Sequence, residues 1–232
     1  MLGVRSHHSA ARDWGIELLD DDGQEHRTVR RSDWRIGVGV RLHRVDLPRG
    51  DVRCGSTTPL RTVLDLGRLL PRAAAVVSLD SALHNKLVRR HELERRAQQA
   101  RGPGSAALRR AVADADGRAA SPPETLLRLL YRDAYEPLGL TVRPQLQIHG
   151  VGHAYDVGLE EVQVVVEVQS LLHHRGRPEL ERDADVGNQA QAQGWHHLQI
   201  TVPPLRAHPD RVLLATDRAI EQQRRILRAL AA

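Results

Sequence analysis

The most constraining stretch of this chain is Val164-Val165-Val166-Glu167. A strand with one wet face alternates apolar and polar residues, so three consecutive valines require apolar cover on both faces. Such a strand lies inside a sheet with helices above and below, which points to an α/β (α+β) fold. The next residue is a glutamate, and a carboxylate in that setting is costly unless it is paired or metal-bound. One strand therefore carries both a fold constraint and a candidate site.

The flanking pattern supplies the rest of that unit. Ser121-Pro122-Pro123-Glu124 opens a helix in which Leu127, Leu130, Tyr131, Ala134 and Leu138 recur at helical spacing, and Pro137 and Gly139 stop it. Strands are expected at Thr141 to His149, His153 to Gly158 and Val162 to Gln169. A polar helix from Pro178 to Gln193, stopped by Gly194, a fourth strand from His197 to Val202 and an amphipathic helix from Pro209 to Leu230 complete it. The order is α-β-β-β-α-β, with a long helix at the end.

The first half reads differently. Ile36, Val38, Val40 and Leu42 alternate with small or polar residues as in a half-buried strand, with His26 to Arg31 as partner and Asp20-Asp21-Asp22-Gly23 as a turn. The first 55 residues thus read as short strands and turns. From Thr58, an N-cap followed by Pro59, the period becomes helical: Leu60 to Leu70, Arg72 to His84, His91 to Ala100 and Ser105 to Asp114. Ser121-Pro122-Pro123 marks the stronger boundary, giving units 1–118 and 121–232, as suits a chain of 232 residues. Phe is absent, so the cores must be Leu, Val, Ile and Ala.

Charge follows the same division. Residues 1–120 hold 22 basic and 15 acidic residues, whereas 121–232 hold 12 and 14. A basic half suggests a polyanionic partner, with a solvated arginine-rich surface as the plain alternative. No apolar run approaches the roughly 20 residues of a membrane helix, the first residues have no signal-peptide stretch, and Cys54 is the lone cysteine. These features exclude disulfide frameworks and cysteine metal clusters. They point to a cytoplasmic protein with no membrane association.

Three acids stand out. Asp156 and Glu167 fall on consecutive strands, and a hairpin through Gly158 to Glu161 would bring them close together. Glu124 can approach from the preceding helix, and Gln169 shares the face of Glu167. Carboxylates around one point hold Mg²⁺, with water and substrate phosphate completing the shell, and such an ion assists phosphodiester cleavage. Asp156 and Glu167 would be the metal ligands, with Glu124 in support. Each has a structural alternative. Glu124 matches a capping box with Ser121, Asp156 could close a turn, and Glu167 could pair with a buried arginine.

These residues carry a resemblance. Ser121-Pro122-Pro123-Glu124, Tyr155-Asp156, Val166-Glu167-Val168-Gln169-Ser170, His173-His174, Arg182-Asp183 and Gly194-Trp195 occur in that order between Ser121 and Thr201, about a third of the chain. The stretch resembles the Vsr-related endonuclease-like domain of unknown function in the PD-(D/E)XK nuclease superfamily. The resemblance implies a restriction-endonuclease-like core and a Mg²⁺-dependent site acting on DNA. Gln169 and Ser170 stand where that family has Asp and Gly, and where the wider superfamily often has Lys at the Gln169 position. Glutamine can orient water but supplies neither charge nor a proton acceptor at neutral pH. His173 or His174 is then the candidate base, with simple exposure after the strand as the alternative. Thr58-Pro59-Leu60-Arg61-Thr62-Val63-Leu64-Asp65-Leu66 resembles a segment of AbiEi-like antitoxin and transcriptional regulator proteins of bacteria.

Arg89, Arg90, Arg95 and Arg96, with Arg182, are candidate phosphate contacts, and solvated helix faces are their alternative. The adjacent pairs His7-His8, His173-His174 and His196-His197 lack the i, i+4 spacing of helical zinc ligands, which argues against a histidine zinc site. Two functions follow as expectations. One is a Mg²⁺-dependent endonuclease-like protein with catalytic residues Glu124, Asp156, Glu167, Gln169, His173 and His174. The other is a non-catalytic DNA-binding regulator that keeps the fold as a scaffold. The final helix adds a protein partner or dimer as a third class.

Overall fold

The computed structural model describes residues 3–33, 38–169 and 186–231. The chain is α+β and divides into two compact units, Met1–Thr125 and Leu126–Ala232. No helix among the described residues is long and apolar enough to cross a membrane.

The first unit has a five-stranded sheet, β1 (Val4–Arg5), β2 (Glu25–Val29), β3 (Val40–Arg44), β4 (Val52–Arg53) and β5 (Ser56–Thr57), in the order β3-β2-β1-β5-β4. The helix α1 (His7–Trp14) follows β1 directly, where only strands and turns were expected. It is short, and its buried residues are His7, His8, Ser9, Ala10 and Ala11, so no apolar period announces it. The partnership of β2 and β3 holds, but it is parallel, and β3 starts only at Val40. Gly39 has φ +71°, which breaks the extended run that the alternating sequence suggests, and Val38 is exposed.

Four helices follow: α2 (Pro59–Leu69), α3 (Arg72–His84), α4 (Arg90–Gln99) and α5 (Ser105–Asp114). As expected, Thr58 caps α2, its hydroxyl accepting the Arg61 amide hydrogen, and Pro59 is the first helical residue. Val63, Leu66, Val76, Leu79, Leu93 and Leu108 are fully buried. Buried carboxylates tie the segments together. Asp51 accepts from Arg61 and Arg96, and Asp80 accepts from the backbone of Asp116 and Gly117 and from the Thr125 hydroxyl.

The second unit contains α6 (Pro122–Tyr135, whose first turn belongs to the first unit), β6 (Val142–Gln147), β7 (Ala154–Leu159), β8 (Val164–Gln169), α7 (residues 186–192), β9 (His196–Thr201), α8 (Val202–Ala207) and α9 (Pro209–Leu230). The α-β-β-β-α-β order is therefore present. The sheet runs β6-β7-β8-β9, with β6, β7 and β8 antiparallel and β9 parallel to β8. The short α8 is an addition to the expected pattern. Its Pro203-Pro204 reads as a break but sits in the first helical turn, where missing amides cost nothing.

The valine run behaves as its pattern requires. Val164 and Val166 lie in one core with Leu127, Tyr131, Val157, Leu159, Ile200 and Ile220. Val165 lies in a second core with Leu146, Ile148, Tyr155 and Ala190, against which Trp195 packs. The strands β6 and β7 exchange faces midway. Val142 and Val157 belong to the first core, whereas Leu146 and Tyr155 belong to the second. The exchange occurs at Gln145, which has φ +53°, and at Asp156 between Tyr155 and Val157.

Candidate active site

Glu167 lies on the β8 face that carries Val165, next to the second core. Both of its oxygens are engaged. His153 Nε2 donates to Oε1 at 2.6 Å and His197 Nε2 donates to Oε2 at 2.7 Å. His197 is on the parallel neighbour β9, in register with Val165. Tyr155 packs against both imidazoles edge to face, with ring centroids 5.0 Å from His153 and 5.4 Å from His197. The Tyr155 hydroxyl donates to the Val186 carbonyl at 2.9 Å, which ties β7 to α7.

Partial burial would push the Glu167 pKa up, but the hydrogen bonds from His197 and His153 outweigh it and hold the carboxyl below its ordinary range. Burial and the charge of Glu167 push the Tyr155 phenol up. The cost of a carboxylate beside the core is thus offset by two imidazoles rather than by an arginine. Glu167 thus fixes the orientation of both imidazole rings. The His153 side chain is 37% exposed and that of His197 only 5%, so His153 is the one open to solvent.

Asp156 reaches β8 in a different way. Its Oδ2 accepts the Val168 amide hydrogen at 2.8 Å, and Gln145 Nε2 lies 3.5 Å from Oδ1. The face exchange at Asp156 turns its side chain towards the backbone of β8, where the carboxylate takes the amide of Val168. Val157 pairs with Val166, so Asp156 and Glu167 are the next residues on the two strands. The expected juxtaposition is present at the level of the strands, and Gln169 lies two residues beyond Glu167 on the same strand.

Other expected site residues are placed differently. Glu124 forms the capping box: Ser121 Oγ donates to its Oε1 at 2.8 Å and the Ala120 amide donates to its Oε2 at 2.8 Å. It falls in the first unit, whereas Asp156 and Glu167 fall in the second. His173, His174 and Arg182 lie outside the described residues.

The arginines of α4 divide. Arg89 and Arg95 are exposed. Arg90 donates to the carbonyls of Val112 and Ala115, and Arg96 donates to both oxygens of buried Asp51 at 3.1 Å. Arg90 and Arg96 therefore help hold the first unit together. Their doublets look alike in sequence, and only the packing of α4 separates the inward guanidinium from the outward one.

Curated relatives match most of the chain. The uncharacterized proteins MT2308 and Rv2248, from two strains of Mycobacterium tuberculosis, are each 33% identical over 193 residues, covering 81% of this chain and 67% of the relative. This chain belongs to their family. No family model matches it, and no solved structure matches it.

Sequence reasoning passed over His153 and His197 as partners of Glu167. Their signal was present but weak. Each is a histidine on or beside a strand of the sheet that carries Glu167, and only strand order makes them neighbours. Trios of metal-ligating atoms within 4.8 Å of one another occur, among the described residues, in the first unit instead: His8, Asp22 and His26, and His7, His26 and His43.

Proposed function

We propose that the second unit is a Mg²⁺-dependent endonuclease-like module acting on DNA phosphodiester bonds. The observation that carries this reading is the pairing of β7 with β8, which makes Asp156 and Glu167 the next residues beyond the Val157–Val166 pair on neighbouring strands inside an α-β-β-β-α-β order. The donor set suits the ion. A carboxylate oxygen that accepts one hydrogen bond keeps a second lone pair, and Mg²⁺ takes one or two carboxylates and fills its shell with water and phosphate oxygen. Bound there, the ion would neutralise charge at the phosphate and the leaving oxygen.

The chain's own groups supply the proton chemistry. Glu167 fixes His153 through Nε2, so the exposed ring presents Nδ1 to a water and can take its proton. His197 holds the other oxygen of Glu167 and so keeps the carboxylate in place. Gln169 orients water through its amide. The test is cleavage of plasmid and linear DNA by purified protein with Mg²⁺ or with chelator. Asp156→Asn and Glu167→Gln should each abolish Mg²⁺-dependent cutting. Undiminished cutting by Glu167→Ala sinks the reading.

A second reading is favoured by the closed hydrogen bonding of the same carboxylates. The oxygens of Glu167 and Oδ2 of Asp156 already have partners within the protein, and residue 169 is an uncharged glutamine. On this reading the protein binds DNA without cutting it. Arg89 and Arg95 would contact phosphates, as would Arg31, Arg68 and Arg101 at a cleft of the first unit. It predicts DNA binding that weakens steeply with salt and no turnover with Mg²⁺.

A further inference from the structure

Four histidines meet in the first unit. His7 and His8 open α1, His26 lies on β2 and His43 on β3. His26 is fully buried, and its Nε2 faces two ligating atoms at once. His8 Nδ1 is 3.3 Å away and Asp22 Oδ2 is 2.9 Å away. His8 Nδ1 and Asp22 Oδ1 are 3.8 Å apart. One ring hydrogen on His26 cannot serve both neighbours fully, and a cation at the centre of the three would satisfy them together.

We infer that His8 Nδ1, His26 Nε2 and a carboxylate oxygen of Asp22 form a zinc site with its fourth position open. Zinc bonds to nitrogen and oxygen of about 2.0–2.1 Å put the corners of a tetrahedron about 3.3–3.4 Å apart. The two ring nitrogens lie 3.3 Å apart, at that spacing, and the Asp22 carboxylate approaches them through different oxygens, Oδ2 at 2.9 Å from His26 and Oδ1 at 3.8 Å from His8. Two imidazoles and one carboxylate leave a corner for water or substrate, which is the pattern of an open rather than a closed zinc centre. Imidazole donors favour zinc over Mg²⁺ or Ca²⁺.

An outer layer already holds these ligands. Asp22 Oδ1 accepts the Gln24 amide hydrogen at 3.1 Å, which fixes the carboxylate in its turn. His26 Nδ1 and His43 Nε2 are hydrogen-bonded at 3.1 Å, which sets the ring of His26 so that Nε2 points at His8 and Asp22. His43 stacks on His7 at 3.5 Å with 17° between the planes, and His7 Nδ1 bonds to Ser6 Oγ at 3.0 Å. Stacked rings have in-plane lone pairs that run side by side instead of converging. His7 and His43 therefore form the supporting layer. His7 holds φ +49° to enter this arrangement, a backbone cost that a merely local helix start does not require. The adjacency of His7 and His8 argued against zinc in the sequence. The ligands come instead from α1, the following turn and β2, so helical spacing is not the relevant test.

The experiment uses the full chain, stripped with a chelator and titrated with Zn²⁺ against a chromophoric competitor. One equivalent should bind, Zn²⁺ should raise the melting temperature, and Co²⁺ in its place should give the intense visible bands of tetrahedral coordination. Asp22→Asn and His8→Gln should each weaken Zn²⁺ binding at least tenfold and remove the thermal shift. Asp22 carries the test because its side chain is partly exposed, whereas replacing fully buried His26 risks the fold. Glu167→Gln should bind Zn²⁺ as the parent does, which separates this site from that of the second unit. Absence of stoichiometric Zn²⁺ binding, an octahedral Co²⁺ spectrum, or unchanged affinity in Asp22→Asn and His8→Gln overturns the inference.

Discussion

Glu167 and His197 sit on adjacent parallel strands and are hydrogen-bonded at 2.7 Å, with His197 almost wholly buried. That bond, with its counterpart from His153, fixes the orientation of the groups around Glu167. Hydrogen bonds to a charged partner contribute about 1.5–3 kcal/mol each. Glu167→Ala should therefore lower unfolding stability by about 2–4 kcal/mol, and His153→Ala by less, because that side chain is partly exposed. Urea unfolding of the variants checks the order. Equal small effects would show that the bonds contribute little.

Gly187 on α7 tests the fit over His197. A methyl group added there would lie 3.0 Å from His197 Nδ1. Glycine to alanine within a helix ordinarily gains up to about 1 kcal/mol, whereas overpacking costs about 1–3 kcal/mol. His197 is held on its other side by Glu167, so it has little room to yield. Gly187→Ala should be net destabilising and should shift the His197 imidazole resonances in NMR spectra. A stabilised variant would mean that β9 and α7 can move apart.

Acid should weaken the first unit over a defined window. Burial, reinforced by neighbouring histidines and arginines, pushes the pKa values of His7 and His43 down to about 3, against 6.5 for a free histidine. Between those values the unfolded chain binds more protons than the folded one, so stability rises with pH. It is fully present above about pH 6.5 and is lost as pH falls towards 3. Melting temperatures of metal-free protein between pH 7.5 and 4 should fall steadily. His43→Asn should flatten the profile, and a flat profile in the parent would contradict the burial.

The α4 arginines separate support from recognition. Arg96→Ala leaves buried Asp51 with one of its guanidinium partners gone and should cost about 1–3 kcal/mol. Arg95→Ala should lie within about 0.5 kcal/mol of the parent, as exposed substitutions do. On the DNA-binding reading it should nevertheless weaken DNA affinity and reduce the salt slope. Melting curves and a salt titration of binding measure both effects. Loss of stability in Arg95→Ala would reverse the assignment.

Local pattern carried much of the fold. The helices α3, α5 and α9 run over the spans their periodicity and flanking prolines indicate, because capping and apolar spacing act within a few residues. The valine run required an interior strand, and β8 lies between β7 and β9. By contrast, α1 buries small and polar residues and leaves no such trace, and the parallel pairing of β2 with β3 follows no turn signal.

The candidate site was legible only in part. Glu167 was visible as a charge out of place, and Asp156 as an acid on a neighbouring strand. Their hydrogen-bond partners were not, because His153, His197 and the Val168 amide become neighbours only through strand order and the face exchange at Gln145 and Asp156. The sequence by itself determined helices such as α3, α5 and α9, the interior strand and the need for Glu167 to find a partner, since those follow from short-range sterics and from the cost of an unpaired charge. The tertiary structure alone decided that the partners are imidazoles and that His8, Asp22 and His26 converge. Side chains far apart in the chain meet only once the sheets fix their register.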